Sequence, residues 1–226
     1  MANNIMLYWG SGSPACWRVQ VVLEEKRLQG YQNKLLSFDK EEPKSPEVLA
    51  INPRGQVPAF KHGDIILNES IGICLYLEDL FKSEGVQLMP DDPREKALIL
   101  QRSLESNNIF QKIGDITCYN KMVPENERSE AGLQRLKDAL SLELKLWEGY
   151  AAKMGTESYV AGKNFTMADA VIFPLVALVF RFGASQAKYP YLAAYYNLVK
   201  NRPSIQATWP PHWKTNPNTG DLLKNV

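Results

Sequence analysis

The chain has 226 residues, of which 45% are hydrophobic and 23% charged, a composition typical of a soluble protein with one large domain or two small ones. The 26 lysines and arginines balance 25 acidic residues, so no net field attracts nucleic acid or an anionic membrane. The longest apolar run, 170–180, contains a proline and is shorter than the roughly 20 residues of a membrane span. We predict that it is a buried helix, not a membrane anchor.

Cysteines and histidines are few. Cys16, Cys74 and Cys118 are too far apart and too few to form a disulfide framework, so reduced thiols are expected. The N-terminus lacks the basic and apolar regions of a signal peptide, which favours a cytoplasmic protein. His62 and His212 are remote from each other in sequence, and we predict no metal site.

The first part of the chain alternates between strand and helix patterns. Residues 5–9 are an apolar and aromatic run before Gly-Ser-Gly, which predicts a buried strand and a loop. Pro14 suits the first turn of a helix, and Gly30 is expected to cap its end. A second strand is predicted over 31–36 and a short helix near 46–51.

Two short apolar runs that flank a Lys-His-Gly-Asp turn then predict a hairpin, and a helix begins near residue 69. The order βαβαββα is therefore predicted for a domain over 1–84. A breaker-rich linker covers 85–92. Beyond it, long charged amphipathic stretches predict an all-helical bundle over 93–226. The fold class is thus α/β plus all-α.

Pro58 lies at the entrance to a predicted strand, where proline is uncommon. A cis Val57–Pro58 bond would leave neighbouring backbone groups pointing outward, able to pair with an extended peptide. An edge-strand proline without any ligand is the alternative.

Glu69 and Ser70 fall at a helix start that follows an apolar strand. Unpaired N–H groups and the helix dipole favour an anion there. Ser70 can donate to a carboxylate and Glu69 can accept from an ammonium group. A simple N-terminal capping pair is the alternative.

Ser13 precedes the first predicted helix, where the dipole makes an acid, including a thiol, lose its proton more readily. Helix capping alone is the alternative. Ser11 and Tyr8 are rival hydroxyls within a few residues.

The segments SPACWR, NPRGQVP, NES and AGKNFTMADAVIFP, in this order and spacing, resemble the cytosolic glutathione transferases over essentially the whole chain. The serine-type classes fit better than the tyrosine-type ones, and the tail RPSIQATWPPHW is similar to the rho class described in fish. The resemblance implies a thioredoxin-like domain that binds glutathione, a helical domain with an apolar second-substrate pocket, and a homodimer. The implied activity is conjugation of glutathione to hydrophobic electrophiles in xenobiotic detoxification, with glutathione as co-substrate.

The resemblance also implies roles for individual residues. Ser13 would stabilise the glutathione thiolate, while Val57 would pair through its backbone. Several serine-type classes carry a lysine where this chain has Gln56, so Lys44 is expected to supply the charge for the glycine carboxylate. The implied glutathione-binding set is Lys44, Gln56, Val57, Pro58, Glu69 and Ser70. Weaker candidates for the apolar pocket, for which ordinary packing is the alternative, are Ala15, Phe110, Ile113, Thr117 and Trp209.

Two other functions are kept open. A glutathione-dependent thiol transferase would use Cys16, although this residue is expected to be packed and unreactive. A non-catalytic module would bind glutathione without shifting the pKa of its thiol. Asp169 with Thr166 is interpreted as a structural capping box, and Arg18 as part of a salt bridge at the edge of the core.

Overall fold

The computed structural model describes residues 4–217 and 220–226. These residues divide into two compact units, 4–91 with 201–217 and 92–200 with 220–226. The predicted domain limits remain a prediction, and in the structure residues 201–217 pack with the first unit.

The first unit is built around a four-stranded sheet with the order β2-β1-β3-β4. Its central strand β1 pairs in parallel with β2 and antiparallel with β3, and β3 pairs antiparallel with β4. With its helices, the unit has the predicted order βαβαββα and the thioredoxin-like arrangement. The elements are β1 (Ile5–Trp9), α1 (Pro14–Glu25), β2 (Gln32–Leu35), α2 (Pro46–Leu49), β3 (Ala59–His62), β4 (Ile65–Leu67) and α3 (Ser70–Leu80).

Burial explains why these segments form the core of the first unit. Leu7 of β1 and Val19 and Leu23 of α1 are fully buried, as the apolar pattern predicts. The helix ends at Glu25, so the prediction that Gly30 caps it is wrong. Arg27, at a φ of 55°, already turns the chain into the left-handed region.

The second unit is helical. Its helices are α4 (Pro93–Met122), α5 (Glu130–Met154), α6 (Met167–Arg181) and α7 (Pro190–Val199). Nearly every residue of α6 is buried, which confirms the prediction for 170–180. None of the helices in the described ranges is long and apolar enough to cross a membrane.

A buried carboxylate organises the start of α6. Asp169 accepts hydrogen bonds from the backbone N–H groups of Val160 (3.0 Å) and Thr166 (2.8 Å). Burial raises the pKa of Asp169 to about 6, although the N–H donors oppose the shift. Its role is therefore structural, as the capping-box interpretation predicts.

The tail of the first unit contains α8 (Pro203–Ala207) and α9 (Pro211–Thr215). Arg202 Nη2 donates to Glu25 Oε2 over 2.7 Å, and Ser204 donates to the same carboxylate. These bonds attach the tail to the C-terminal end of α1.

Candidate active site

Three segments meet at one edge of the sheet in the first unit. The turn 10–13 follows the end of β1, where Tyr8 lies opposite Ala59, the first residue of β3. β4 returns to the same edge, because Leu67 lies opposite Phe60. The topology therefore brings the Ser13 turn, Val57–Pro58 and the start of α3 together.

Ser13 is the N-cap of α1. Its Oγ accepts a hydrogen bond from Cys16 N over 3.3 Å, and its own N–H donates to Gly10 O over 3.2 Å. Since a hydroxyl that accepts one hydrogen bond can still donate its proton, Ser13 can donate to a ligand held above the helix N-terminus. Capping and donation to a ligand are thus compatible.

The two rival hydroxyls have side-chain partners of their own. Tyr8 donates to Glu47 Oε1 over 2.7 Å, and burial, together with this carboxylate, raises the pKa of Tyr8 to about 12. Ser11 Oγ lies 2.6 Å from His212 Nδ1. Tyr8 is therefore a poor activator of a thiol, because its proton is already held by a carboxylate.

Cys16 is packed and unreactive, as predicted. Its side chain is fully buried, and its Sγ accepts from Gly10 N over 3.4 Å. Burial raises the pKa of the thiol to about 11, against smaller opposing effects of Ser13 and Gly10. A thiol transferase needs an accessible thiolate, and Cys16 offers neither access nor ionisation.

Glu69 and Ser70 stand at the start of α3. The backbone of Glu69 forms the N-cap position, but its exposed side chain makes no capping hydrogen bond. Ser70 is only 7% exposed and accepts from Arg18 Nη1 over 3.3 Å. The alternative prediction, that Glu69 and Ser70 form a simple N-terminal capping pair, is therefore wrong.

Arg18, which the sequence analysis interprets as part of a salt bridge, is a further candidate site residue. It lies on α1, is 3% exposed, and places its guanidinium behind the Ser70 hydroxyl. Burial lowers the pKa of Arg18 to about 10, so it stays charged at neutral pH. The motif SPACWR contained this residue, but its sequence position carries no sign of a hydroxyl partner on α3.

The Val57–Pro58 peptide bond is cis. Val57 is half-buried and packs with a small cluster that includes Leu36 and Val48. Asn52, which the sequence reasoning missed, shapes the preceding loop because its Nδ2 donates to Gln56 O over 2.7 Å. Asn52 precedes a proline in a turn, a position where asparagine commonly bonds to nearby backbone, and that was the available signal.

The remaining glutathione candidates are on the surface of the first unit. Gln56 is exposed. Lys44 Nζ lies 2.6 Å from Glu41 Oε1, and both side chains are about two-thirds exposed (66% and 69%). Because exposed ion pairs contribute little free energy, Lys44 can exchange Glu41 for a ligand carboxylate.

The candidates for an apolar pocket lie on both units. In the first, Ala15 and Trp209 are half-buried, and Trp209 packs edge-on against Trp17. In the second, Phe110 is 43% exposed on α4, whereas Ile113 is only 4% exposed. Thr117 donates its hydroxyl to backbone carbonyls of its own helix. Burial within α4's own unit favours the packing role for Ile113.

No cluster of histidine, cysteine, aspartate or glutamate suited to a metal ion occurs in residues 4–217 and 220–226. The polar groups at the sheet edge are instead hydroxyls, a carboxylate, backbone groups and a buried guanidinium. Such a set suits a small peptide that carries both charged ends and a thiol.

Known proteins match this chain over most of its length. The family model for the glutathione S-transferase N-terminal domain matches residues 7–85, and that for the C-terminal domain matches residues 107–208. The chain is 54% identical, over the full length of both proteins, to glutathione S-transferase A of Pleuronectes platessa.

Solved structures give the same answer. A glutathione S-transferase from the Antarctic clam Laternula elliptica superimposes with a TM-score of 0.87 at 42% identity, covering 99% of each chain. Poplar glutathione transferase F1 superimposes with a TM-score of 0.77 at 26% identity, covering 91% of this chain and 96% of that one. The chain belongs to the glutathione S-transferase family.

Proposed function

We propose that this protein is a glutathione transferase that joins the thiolate of glutathione to hydrophobic electrophiles, with Ser13 as the activating residue. The glutathione sulfur forms a bond to an electrophilic carbon, and the leaving group departs with its bonding electrons. The thiol proton is released to solvent before attack. The observation that carries the proposal is the Ser13 hydroxyl at the N-cap of α1, in a chain 54% identical to a curated glutathione S-transferase.

Ser13 acts by stabilising negative charge on sulfur. A free thiol has a pKa of about 8.5, so only about 3% is thiolate at pH 7. A hydrogen bond from a hydroxyl to an anion contributes roughly 1.5–3 kcal/mol, and a helix N-terminus adds a further ~0.5–1 kcal/mol. Together these effects lower the thiol pKa by roughly 1.5–3 units, which makes thiolate a major species at neutral pH.

The rest of the tripeptide is held by the other two segments. The Val57 backbone pairs with the extended peptide, next to the buried Pro58. Glu69 accepts from the γ-glutamyl ammonium, while Ser70 donates to the neighbouring carboxylate. Because Ser70 already accepts from the buried Arg18, its own proton is directed toward the ligand. Arg18 is thus a positioning residue for Ser70.

Lys44 and Gln56 bind the glycine end of glutathione. Lys44 supplies the positive charge for the glycine carboxylate by leaving its exposed partner Glu41. Gln56 adds a neutral hydrogen-bond donor, and Asn52 holds the Gln56 backbone in place.

The candidates for binding the electrophile stay separate in the two units, Ala15 and Trp209 in the first and Phe110 and Thr117 in the second, while Ile113 is assigned to packing. Half-exposed apolar groups such as Phe110 suit hydrophobic substrates. We further propose that the protein is a cytoplasmic homodimer of the rho class, in line with the tail motif and the identity to the plaice protein.

The test is the pH dependence of conjugation to an activated aryl chloride. In Ser13→Ala, the apparent pKa of bound glutathione should rise by about 1–2 units, and the rate near neutral pH should fall about 10- to 100-fold. Tyr8→Phe is the matched control, because it also removes one hydroxyl near the end of β1 but leaves the thiol pKa unchanged.

Two outcomes contradict the proposal. A wild-type thiol pKa in Ser13→Ala would reject the activating role of Ser13. An unshifted thiol pKa in the wild-type protein, measured with glutathione bound, would indicate a non-catalytic binding module instead.

A further inference from the structure

The segment 208–215, called the tail segment below, contacts the turn that presents Ser13. His212 Nδ1 lies 2.6 Å from Ser11 Oγ, a distance typical of a hydrogen bond. The His212 ring also lies against the backbone of Gly12, because a Cβ at this glycine would come within 2.7 Å of His212 Cε1. The residue before Ser13 is therefore covered by a side chain from near the other end of the chain.

The tail segment is anchored on α1 by aromatic contacts. Trp17 Nε1 donates to Thr208 Oγ1 over 2.8 Å. The Trp17 ring meets Trp209 and Trp213 edge-on, with centroid distances of 5.3 and 5.6 Å. Because Trp213 is only 6% exposed, the segment that carries His212 has a fixed position on the helix that begins after Ser13.

The turn is held at its two ends, because Gly10 N donates to Cys16 Sγ and Ser13 N donates to Gly10 O. Gly12 has a φ of 79°, and glycine moves readily between conformations. A shift at Gly12 changes the direction of the Ser13 hydroxyl, and hydrogen bonds weaken steeply with poor angles. The contact from His212 opposes such a shift.

We propose that His212 is a positioning residue for thiol activation, holding Ser11 and Gly12 so that the Ser13 hydroxyl points at the glutathione sulfur. The inference rests on the proposed role of Ser13. His212 itself does not touch the reacting atoms. It acts through Ser11 and the turn. The tail segment therefore contributes to the chemistry of the first unit.

The hydrogen bond can be tested separately from the bulk of the ring. Asparagine places a polar atom near the position of Nδ1, so His212→Asn can keep the bond to Ser11, whereas His212→Ala cannot. His212 is exposed, so neither change opens a cavity in the core.

The chain offers a matched control in its other histidine. His62 Nδ1 also contacts a hydroxyl, that of Tyr76, over 2.8 Å. It lies opposite Ile5, at the end of β1 away from the Ser13 turn. His62→Ala therefore removes an equivalent hydrogen bond without touching the turn.

The experiment measures the pKa of bound glutathione from thiolate absorbance, and kcat/KM for an activated aryl chloride. His212→Ala should raise the thiol pKa by about 0.5–1 unit and lower kcat/KM about 3- to 10-fold near neutral pH. His212→Asn should restore most of the loss, and His62→Ala should match the wild type. Ser11→Ala combined with His212→Ala should be no worse than either change alone.

Three results overturn the inference: a wild-type thiol pKa in His212→Ala, equal losses in His212→Asn and His212→Ala, or additive losses in the double variant. Hydrogen exchange of the amides of residues 10–17 separates this inference from the role of Ser13. If these amides exchange as slowly in His212→Ala as in the wild type, the positioning role is rejected, whatever thiol pKa Ser13→Ala has. Faster exchange in His212→Ala with a wild-type thiol pKa in Ser13→Ala rejects the activating role of Ser13 instead.

Discussion

Ser13 and Cys16 are one helical turn apart on α1, yet their surroundings give them opposite chemistry. Ser13 is half-buried at the N-terminus of the helix, where a donor can reach a ligand. Cys16 is fully buried, and burial keeps its thiol protonated by raising the pKa to about 11. At this helix start the reactive sulfur therefore has to come from glutathione, because the Cys16 thiol is kept away from solvent.

A thiol count tests this arrangement. Of the three cysteines, Cys118 is exposed, whereas Cys16 and Cys74 are buried and have thiol pKa values raised to about 11 and about 12. An aromatic disulfide reagent should therefore modify one thiol rapidly in the native protein and three in denaturant. Cys118→Ser should remove the fast phase. A second fast thiol that disappears in Cys16→Ser would instead favour a thiol transferase.

The sequence alone could predict those candidate site residues that carry a local signal. Ser13 and Ser70 each follow an apolar strand and begin a helix, so their positions alone suggest an anion site. Arg18 and His212 could not be found in this way, because their partners lie 52 and 201 residues away. Nothing in a local pattern specifies which hydroxyl a distant side chain will meet.

Helix starts were predicted better than helix ends for a physical reason. Pro14 and the N-cap Ser13 mark the start of α1 because proline and capping groups act within one turn of the helix. The end of α1 depends instead on tertiary ion pairs made by Glu25 and Lys26, which a glycine signal at residue 30 does not report.

The ion pair at the end of α1 should be important for stability. Lys26 Nζ lies 3.0 Å from Glu78 Oε2 on α3, and both side chains are almost fully buried (0% and 2% exposed). Glu78 Oε1 also accepts from the N–H groups of Leu88 and Met89. Glu78→Gln leaves a buried ammonium without its carboxylate. The free energy of unfolding, measured by urea denaturation, should therefore fall by about 3–5 kcal/mol.

Two controls sharpen this prediction. Adding Lys26→Met to Glu78→Gln removes the stranded charge, so the double variant should be more stable than Glu78→Gln alone. Lys82 and Asp91 form an exposed pair in the same unit, and Asp91→Asn should change the free energy of unfolding far less than Glu78→Gln does. A double variant that loses the sum of its single changes would show that the pair itself is unimportant.

At the scale of the whole molecule, periodicity predicted helices beyond residue 93 but not where each one packs. Residues 201–217 read as a continuation of the helical domain, whereas in the structure they belong to the first unit. What holds them there is Glu25, which pairs with Arg202 and Ser204, and the contact of Trp17 with Thr208. Each of these contacts joins a residue of α1 to a residue far along the chain. No local sequence pattern predicts contacts between residues so far apart.

The pH dependence of global stability should carry the signature of Asp169. Burial raises the pKa of this carboxyl from 3.8 to about 6 in the folded state, so the folded protein binds its proton at a higher pH than the unfolded chain does. Asp169 therefore contributes the most stability below about pH 4, and this contribution is lost as the pH rises through about 6. A shift of this size corresponds to about 3 kcal/mol at most.

Asp169→Asn isolates this effect. Asparagine does not titrate, and its Nδ2 would face one of the two N–H donors, so the variant should be less stable than the wild type at every pH. The difference in unfolding free energy between the two proteins should be largest below about pH 4 and should narrow by about 3 kcal/mol toward pH 7. Denaturant unfolding across this range measures it. A difference that widens with rising pH would mean that the hydrogen bonds donated to Asp169, among them those from two backbone N–H groups and the Thr166 hydroxyl, outweigh its burial and keep the carboxylate ionised.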